Sequence, residues 1–215
     1  MAQLESSFKN MLLVLTGITL FAAITLSSVY TLTKEPIAAS KIAKQQNAIK
    51  EVLPPFDHLD ANPIEETEGV ETTKIFKAYD KANNFVGAAV EATSNNGFSG
   101  KIIIMVGFDK KGSIVNYSVL EQKETPGLGT KMVDWFKTEK GNQNIVRKNM
   151  QTTNLTVAKD GGEVDAISGA TISSRAFLFA VRNAYFAYEK QNQGTSQGEV
   201  NEAKSTLMKD STTLN

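Results

Sequence analysis

From Asn10 to Thr33 the chain has no charged side chain, and the middle of that run reads MLLVLTGITLFAAITLSSVY, with Lys9 before it and Lys34 after it. About twenty residues of helix, at roughly 1.5 Å rise each, cover the ~30 Å hydrocarbon core of a bilayer. The run exceeds the apolar core of a signal peptide, and Ser27-Ser28 is a poor cleavage match. The pattern therefore predicts an uncleaved transmembrane anchor over residues 10–33, behind a short segment 1–9. The next stretch, EPIAASKIAKQQNAIKEVL, changes period. Ile42, Ile49 and Val52/Leu53 fall on one helical face until Pro54-Pro55 stops the run, which predicts a membrane-proximal helix over 34–55.

A polar, acidic stretch at 56–73 reads as loop. KIFKAYD and FVGAAVEAT then read as two strands around a DKANN turn. Ile102 to Phe108 reads as a buried strand, DKKG as a hairpin turn, and Ser113 to Gln122 as the returning strand. ETPGLGT (124–130) is a Pro/Gly loop before a short helix with Met132, Trp135 and Phe136. LTVAK, ending at Asp160-Gly161-Gly162, and EVDAI are two further strand candidates. After them Phe177, Val181, Ala184 and Tyr188 recur at i, i+4, i+7 and i+11, the stripe of an amphipathic helix. From Gln191 to Asn215 the composition is Gln, Ser, Thr, Glu and Lys, which predicts a disordered polar tail over 191–215. Strands and helices mix without regular alternation. The class is α+β, with the folded domain at 56–190.

Composition narrows the chemistry. Lysine plus arginine and aspartate plus glutamate each total 23, for zero formal charge, and this balance argues against a nucleic-acid partner. Without cysteine there is no disulfide, iron–sulfur cluster or thiolate catalysis. The lone histidine, His58, excludes multi-histidine metal sites and reads as a surface loop residue near Pro54-Pro55. Redox chemistry in this chain thus needs a non-metal cofactor, or a site shared with a partner. Orientation is less legible. Lys34, Lys41, Lys44 and Lys50 follow the span, partly offset by Glu35 and Glu51, so a strict lysine count favours a cytoplasmic domain by a small margin.

Two loops carry the candidate chemistry. In DAISGATISS (165–174), Ser168 and Thr171 flank a Gly-Ala pair just before the striped helix. One reading makes Ser168 a helix cap and nothing more. The other uses the unpaired amides and partial positive charge of a helix start to hold a phosphate, with Gly169 admitting the backbone closely and Thr171 facing that phosphate or esterified by it. No lysine follows in nucleotide-loop spacing. GFSGK at 97–101 is followed by a strand rather than a helix, so it is no phosphate loop either. ETPGLG is either an ordinary connector or a platform under a planar ligand, since Pro126 fixes a turn while Gly127 and Gly129 open backbone conformations closed to other residues.

Taken together, GFSGKIIIMVGFDKKGSI, ETPGLGTKM and DAISGATISS, in this order behind one N-terminal anchor, resemble the FMN-binding G subunit of the Rnf electron-transport complex. The likeness covers roughly residues 8–190. The C subunit of the sodium-pumping NADH:quinone reductase shares the signature and is the nearest alternative; the compact link between anchor and domain favours the Rnf protein. The resemblance implies covalent FMN, attached through a phosphoester to Thr171 by a separate flavin transferase that uses FAD. It implies that Asp165, Ser168, Gly169, Ala170, Thr171, Ser173 and Ser174 form the sequence that transferase recognises, and that Thr171 is modified rather than catalytic. Ser168, Gly169 and Ala170 then lie at the cofactor, as do Glu124, Thr125, Gly127, Leu128 and Lys131 near the isoalloxazine. The implied partners are the other subunits of the complex, the flavin transferase and the membrane. No residue of this chain is expected to be catalytic on its own, and no metal is expected. The implied function is electron transfer within an ion-translocating ferredoxin:NAD oxidoreductase, with the flavin domain outside the cytoplasmic membrane, against the lysine count. Two readings of other kinds compete: a membrane-anchored scaffold, and a free-standing flavin reductase, for which the sequence shows no dinucleotide fingerprint.

Overall fold

The structure is a computed structural model and describes residues 7–68 and 71–211; residues 1–6 of the expected N-terminal segment and 212–215 of the expected tail lie outside the described residues. Helix α1 runs Phe8–Val52, and the chain divides at Lys44 into two compact units. Within the first, the helix carries no charged side chain from Met11 to Tyr30. Leu12, Leu13, Ile18 and Phe21 are exposed along with every other residue from Met11 to Tyr30, and this is the one described helix long and apolar enough to cross a membrane. Thr19, Thr25, Ser28, Thr31 and Thr33 turn their hydroxyls back onto carbonyls three or four residues earlier. That satisfies the hydroxyls within the helix itself, as a lipid-facing helix would require. Anchor and membrane-proximal helix, expected as separate elements, form one continuous helix with Pro36 inside it.

The second unit, from Gln45, is a sheet covered on both faces. Its strands are β1 His58–Leu59, β2 Ile64–Glu68, β3 Glu71–Tyr79, β4 Phe85–Gly97, β5 Gly100–Asp109 and β6 Ile114–Glu121. They pair antiparallel in the order β1-β3-β4-β5-β6, with β2 also on β3. The first two are corrections, because 56–73 was expected to be loop. β1 and β2 are short and polar, and they hold their place by pairing with the edge of β3 rather than by apolar alternation. His58 is exposed as expected, although it sits on β1, stacked on Tyr79 at 5.6 Å between ring centroids. The two hairpin turns match their residues. Asp80 Oδ1 accepts the amides of Ala82 and Asn84, and Asp109 Oδ1 those of Lys111 and Ser113.

Alternation along the strands assigns the two faces. Val90, Ala92, Ile102, Ile104, Val106 and Phe108 face helix α3 (Thr171–Ser211). Ala89 and Met105 face the other way, against Ala48, Ile49, Val52 and Leu53 at the end of α1. Ile42, expected on the same helical stripe, is exposed. A Cβ at Gly107 would overlap the Val52 carbonyl oxygen, so the helix end sits directly on the backbone of β5. Glu51 ties it further, accepting bonds from Ser118 Oγ (3.1 Å) and Lys137 Nζ (3.4 Å).

On the α3 side the expected stripe is buried: Phe177, Val181, Ala184 and Tyr188 are all at most 2 % exposed. Phe177 stacks on Phe136 at 4.6 Å and meets Tyr117 edge-on at 4.9 Å. Burying a side chain of this size contributes roughly 1.5–3 kcal/mol. Tyr117 donates its hydroxyl to the Met132 carbonyl and Tyr188 donates to that of Asp109. Burial pushes both phenols up, that of Tyr188 to about 12.

Two strand expectations fail. LTVAK and EVDAI share only an isolated parallel bridge, Val157 to Val164, and Ala158–Asp160 forms a 3-10 turn. Their apolar residues Leu155, Val157, Val164 and Ile167 are buried all the same. The segment bonds to itself, Val164 N–H to Thr156, Ala158 N–H to Val164 and Glu163 N–H to Asn154, so it needs no neighbouring strand. Helix α3 likewise continues to Ser211, where composition predicts a disordered tail. No proline interrupts the chain after Tyr188, and Gln, Glu, Lys and Ala are good helix formers.

Candidate functional site

The start of α3 is built by a tight turn. Ala170 N–H bonds the Ile167 carbonyl at 2.9 Å, and Gly169, the third residue of that turn, has φ +76°. This left-handed conformation suits glycine and strains other residues. Ser174 then fastens the turn, since its Oγ accepts the Ile167 amide at 2.9 Å and donates to the Ala170 carbonyl at 2.9 Å. Ser168 is exposed at the corner of the turn, and its hydroxyl bonds no described residue. Capping is therefore not its task; the first helical residue is Thr171, and Ser174 secures the entry. Thr171 is half-buried there, beside first-turn amides that have no partner within the helix.

The ETPGLG loop lies against this turn. Glu124 is 4 % exposed, and its carboxylate accepts the Ser173 hydroxyl at 2.6 Å and the Ser99 amide at 3.1 Å. The loop folds back on Thr125, whose carbonyl accepts the Leu128 amide at 3.1 Å, and Gly127 takes φ +75°. At Gly129 a Cβ would come within 2.7 Å of both Glu124 Cβ and Ser173 Oγ. Only a glycine lets the loop pass between the buried acid and the helix. Leu128 reaches across to Gly169, 3.4 Å from where a Cβ would stand.

Between the two loops is a pocket of about 380 Å³, lined in part by Thr171, Glu124, Thr125, Leu128 and Gly169. Such a volume suits a small organic ligand. The structure thus brings together Glu124, Thr125, Leu128, Gly169, Ala170, Thr171 and Ser173, which the sequence singled out in two separate loops. Gly127 shapes its loop without lining the pocket, and Lys131 is exposed at the entry to α2 (Met132–Trp135). Asp165 stands apart: its carboxylate accepts the Asn142 amide at 2.7 Å and its carbonyl accepts Trp135 Nε1 at 3.0 Å. Ser173 and Ser174 are buried.

Sequence reasoning missed three lining residues, Phe98, Ile172 and Lys159. Phe98 belongs to the discarded GFSGK stretch, and it stands at the β4–β5 turn because Gly97 there leaves room for the Glu124 carboxylate. Phe98, Leu128 and Ile172 are 68 %, 41 % and 49 % exposed, an apolar rim around a hydroxyl at a helix start. A phosphate ester bearing a planar, largely apolar ring system fits this cradle: amides and hydroxyl at one end, glycine-lined walls and apolar side chains at the other.

Comparison with known proteins agrees with that chemistry. The FMN-binding domain family matches residues 97–185, a span that contains both loops. The G subunit of the ion-translocating oxidoreductase complex of Haemophilus influenzae (strain PittEE) is 36 % identical over 171 residues, covering 75 % of this chain and 80 % of its own. The chain belongs to that family. The G subunit of Salmonella typhi is 38 % identical over 71 % of this chain and 77 % of its own, and that of Aliivibrio fischeri is 29 % identical over 87 % and 93 %. With this G-subunit family come an FMN-binding domain and a place in a larger oxidoreductase assembly, as the sequence signature implied.

Proposed function

We propose that this chain is the flavin-bearing electron-transfer subunit of a membrane-bound, ion-translocating oxidoreductase complex of the Rnf type, with FMN held covalently as a phosphoester of Thr171. The observation that carries the reading is the meeting of two distant loops around the Thr171 hydroxyl in one pocket with an apolar rim. In the maturation step a flavin transferase joins Thr171 Oγ to the flavin-side phosphorus of FAD. The pyrophosphate bond breaks, AMP leaves, and the hydroxyl proton passes to the transferase. Bound FMN supplies a centre that accepts and releases electrons one or two at a time. The protein's own residues hold and shield that centre. First-turn amides of α3 face the phosphate, Gly169 and Gly129 keep the walls close, and Leu128, Ile172 and Phe98 offer apolar surface to the ring.

The same reading assigns the α1 span to the cytoplasmic membrane and the flavin domain to its outer side, with the other subunits of the complex and the transferase as partners. A covalent link is useful there, since a dissociated flavin outside the cytoplasm is lost by dilution. The relatives from Haemophilus, Salmonella and Aliivibrio are all G subunits, which favours the Rnf-type complex over the quinone reductase.

The test uses the full chain, co-expressed with a flavin transferase and purified from membranes in detergent. After denaturation the parent is expected to fluoresce on the gel and to carry the mass of FMN less one water, and Thr171→Val to lose both completely. An unmodified parent, beside a control substrate that the same transferase labels, would overturn the assignment of Thr171.

A further inference from the structure

If FMN is esterified to Thr171, two negative charges share one pocket: the phosphodiester and the buried carboxylate of Glu124. Glu124 accepts bonds from the Ser173 hydroxyl and the Ser99 amide, both neutral donors, so neither places a positive charge in the pocket. Among the residues lining the pocket there is a single basic side chain, that of Lys159. Lys131, next to the ETPGLG loop in sequence, does not line it. Arg175, one turn beyond Thr171 on α3, has its guanidinium committed to both oxygens of Asp160 at 2.7 Å.

The backbone around Lys159 is fixed from both sides. Val157, two residues before, is buried in the core under α3. Asp160, directly after, is clamped to Arg175 on α3 itself. Between them the chain makes a single 3-10 turn, Ala158–Asp160, closed by Asp160 N–H on the Val157 carbonyl at 2.9 Å and ended by Gly161 at φ +81°. The strap ties the backbone of Lys159 to the helix that bears the acceptor hydroxyl, and the exposed lysine stands at the pocket.

We propose that Lys159 is the cationic partner of the phosphate carried by Thr171, held in place by the Asp160–Arg175 pair. This rests on the flavin assignment above. Lys159 is a binding residue in this scheme and Asp160 a positioning residue. The ammonium meets the phosphate as a charge-assisted hydrogen bond and offsets the repulsion from Glu124.

The experiment compares the full-length parent with Lys159→Gln, Lys159→Arg and Asp160→Asn, each flavinylated by the same transferase in detergent. Two quantities are read: the initial rate of FMN incorporation, and the ³¹P resonance of the fully loaded protein. Lys159→Gln is expected to slow incorporation by about fivefold and to displace the ³¹P resonance. Lys159→Arg should restore most of the rate, and Asp160→Asn should give a smaller displacement in the same direction. A ³¹P resonance of loaded Lys159→Gln that overlays the parent's overturns the proposal, even if incorporation slows, because the lysine then serves the transferase and not the phosphate. A displaced resonance with an unchanged rate supports it. If the parent itself takes up no flavin on Thr171, the underlying assignment fails first and this inference with it.

Discussion

Helix α3 is buried along its first five turns, whereas α1 is buried only near its end, at Ala48, Ile49 and Val52. Both are long and rich in apolar residues, so hydrophobicity alone does not separate them. Arrangement does. In α3 the apolar residues that matter lie on one stripe, and the stripe finds β4 and β5. From Met11 to Tyr30, α1 has no polar face at all, so no single surface of a sheet can satisfy it, and its length and composition suit a lipid environment. A helix with one apolar face packs on protein; a helix apolar all round asks for a different solvent.

This contrast is open to mutation. The largest effect is expected at Phe177, wedged between Phe136 and Tyr117. Phe177→Ala should cost about 3–5 kcal/mol in denaturant unfolding of the full chain in detergent, enough to consume much of a domain's margin. A change under about 1 kcal/mol, far below the usual cost of such a truncation, would mean that α3 is not the main lid of the core. At Gly107 the expected loss is smaller. Gly107→Ala forces the end of α1 off β5, costs about 1–3 kcal/mol, and should raise hydrogen exchange in residues 48–53 while leaving the pocket loops as protected as before. Exchange rising equally at Thr171 would show that the two faces of the sheet are coupled. The smallest effect belongs to Ser174→Ala, which removes both bonds that fasten the entry of α3. A cost of about 1 kcal/mol, with faster exchange of the Ile167 amide, is expected, and an unchanged amide would place the fastening elsewhere.

How far the sequence could be read depended on where each element finds its partners. The α3 stripe and the hairpins at DKANN and DKKG were legible because helix period, strand alternation and turn residues are local signals. The strands at His58–Leu59 and Ile64–Glu68 were not: the first is two residues long and pairs with the far end of β3, and the second pairs with the nearby start of β3 through a polar sequence that carries no apolar alternation. LTVAK misled for the converse reason: its alternating apolar residues are buried under a helix, which leaves the same trace as burial in a sheet. At the pocket, Glu124, Leu128, Gly169 and Thr171 stood out through their motifs. Phe98 and Lys159 arrive from a hairpin tip and a self-closing loop, and nothing in their immediate neighbours announces it. Reading Ser168 as the cap would start the helix at Gly169, ahead of its observed first residue, Thr171. The residue that fastens it, Ser174, lies inside the helix rather than ahead of it.

The sheet from β3 to β6 is a meander, each strand hydrogen-bonded to the next through a short turn, and the bond that unites the two pocket loops joins Glu124 to Ser173, 49 residues apart. Closing a short hairpin loses little chain entropy, and closing the longer loop loses more. The order of assembly follows from that difference: hairpins first, then the long return of the chain that lays α3 across them. Until that return is complete there is no pocket at Thr171, only a flexible threonine in a glycine-containing turn. The pocket is thereby the last thing this domain makes, and on the function proposed above a modifying enzyme would find its finished target only then.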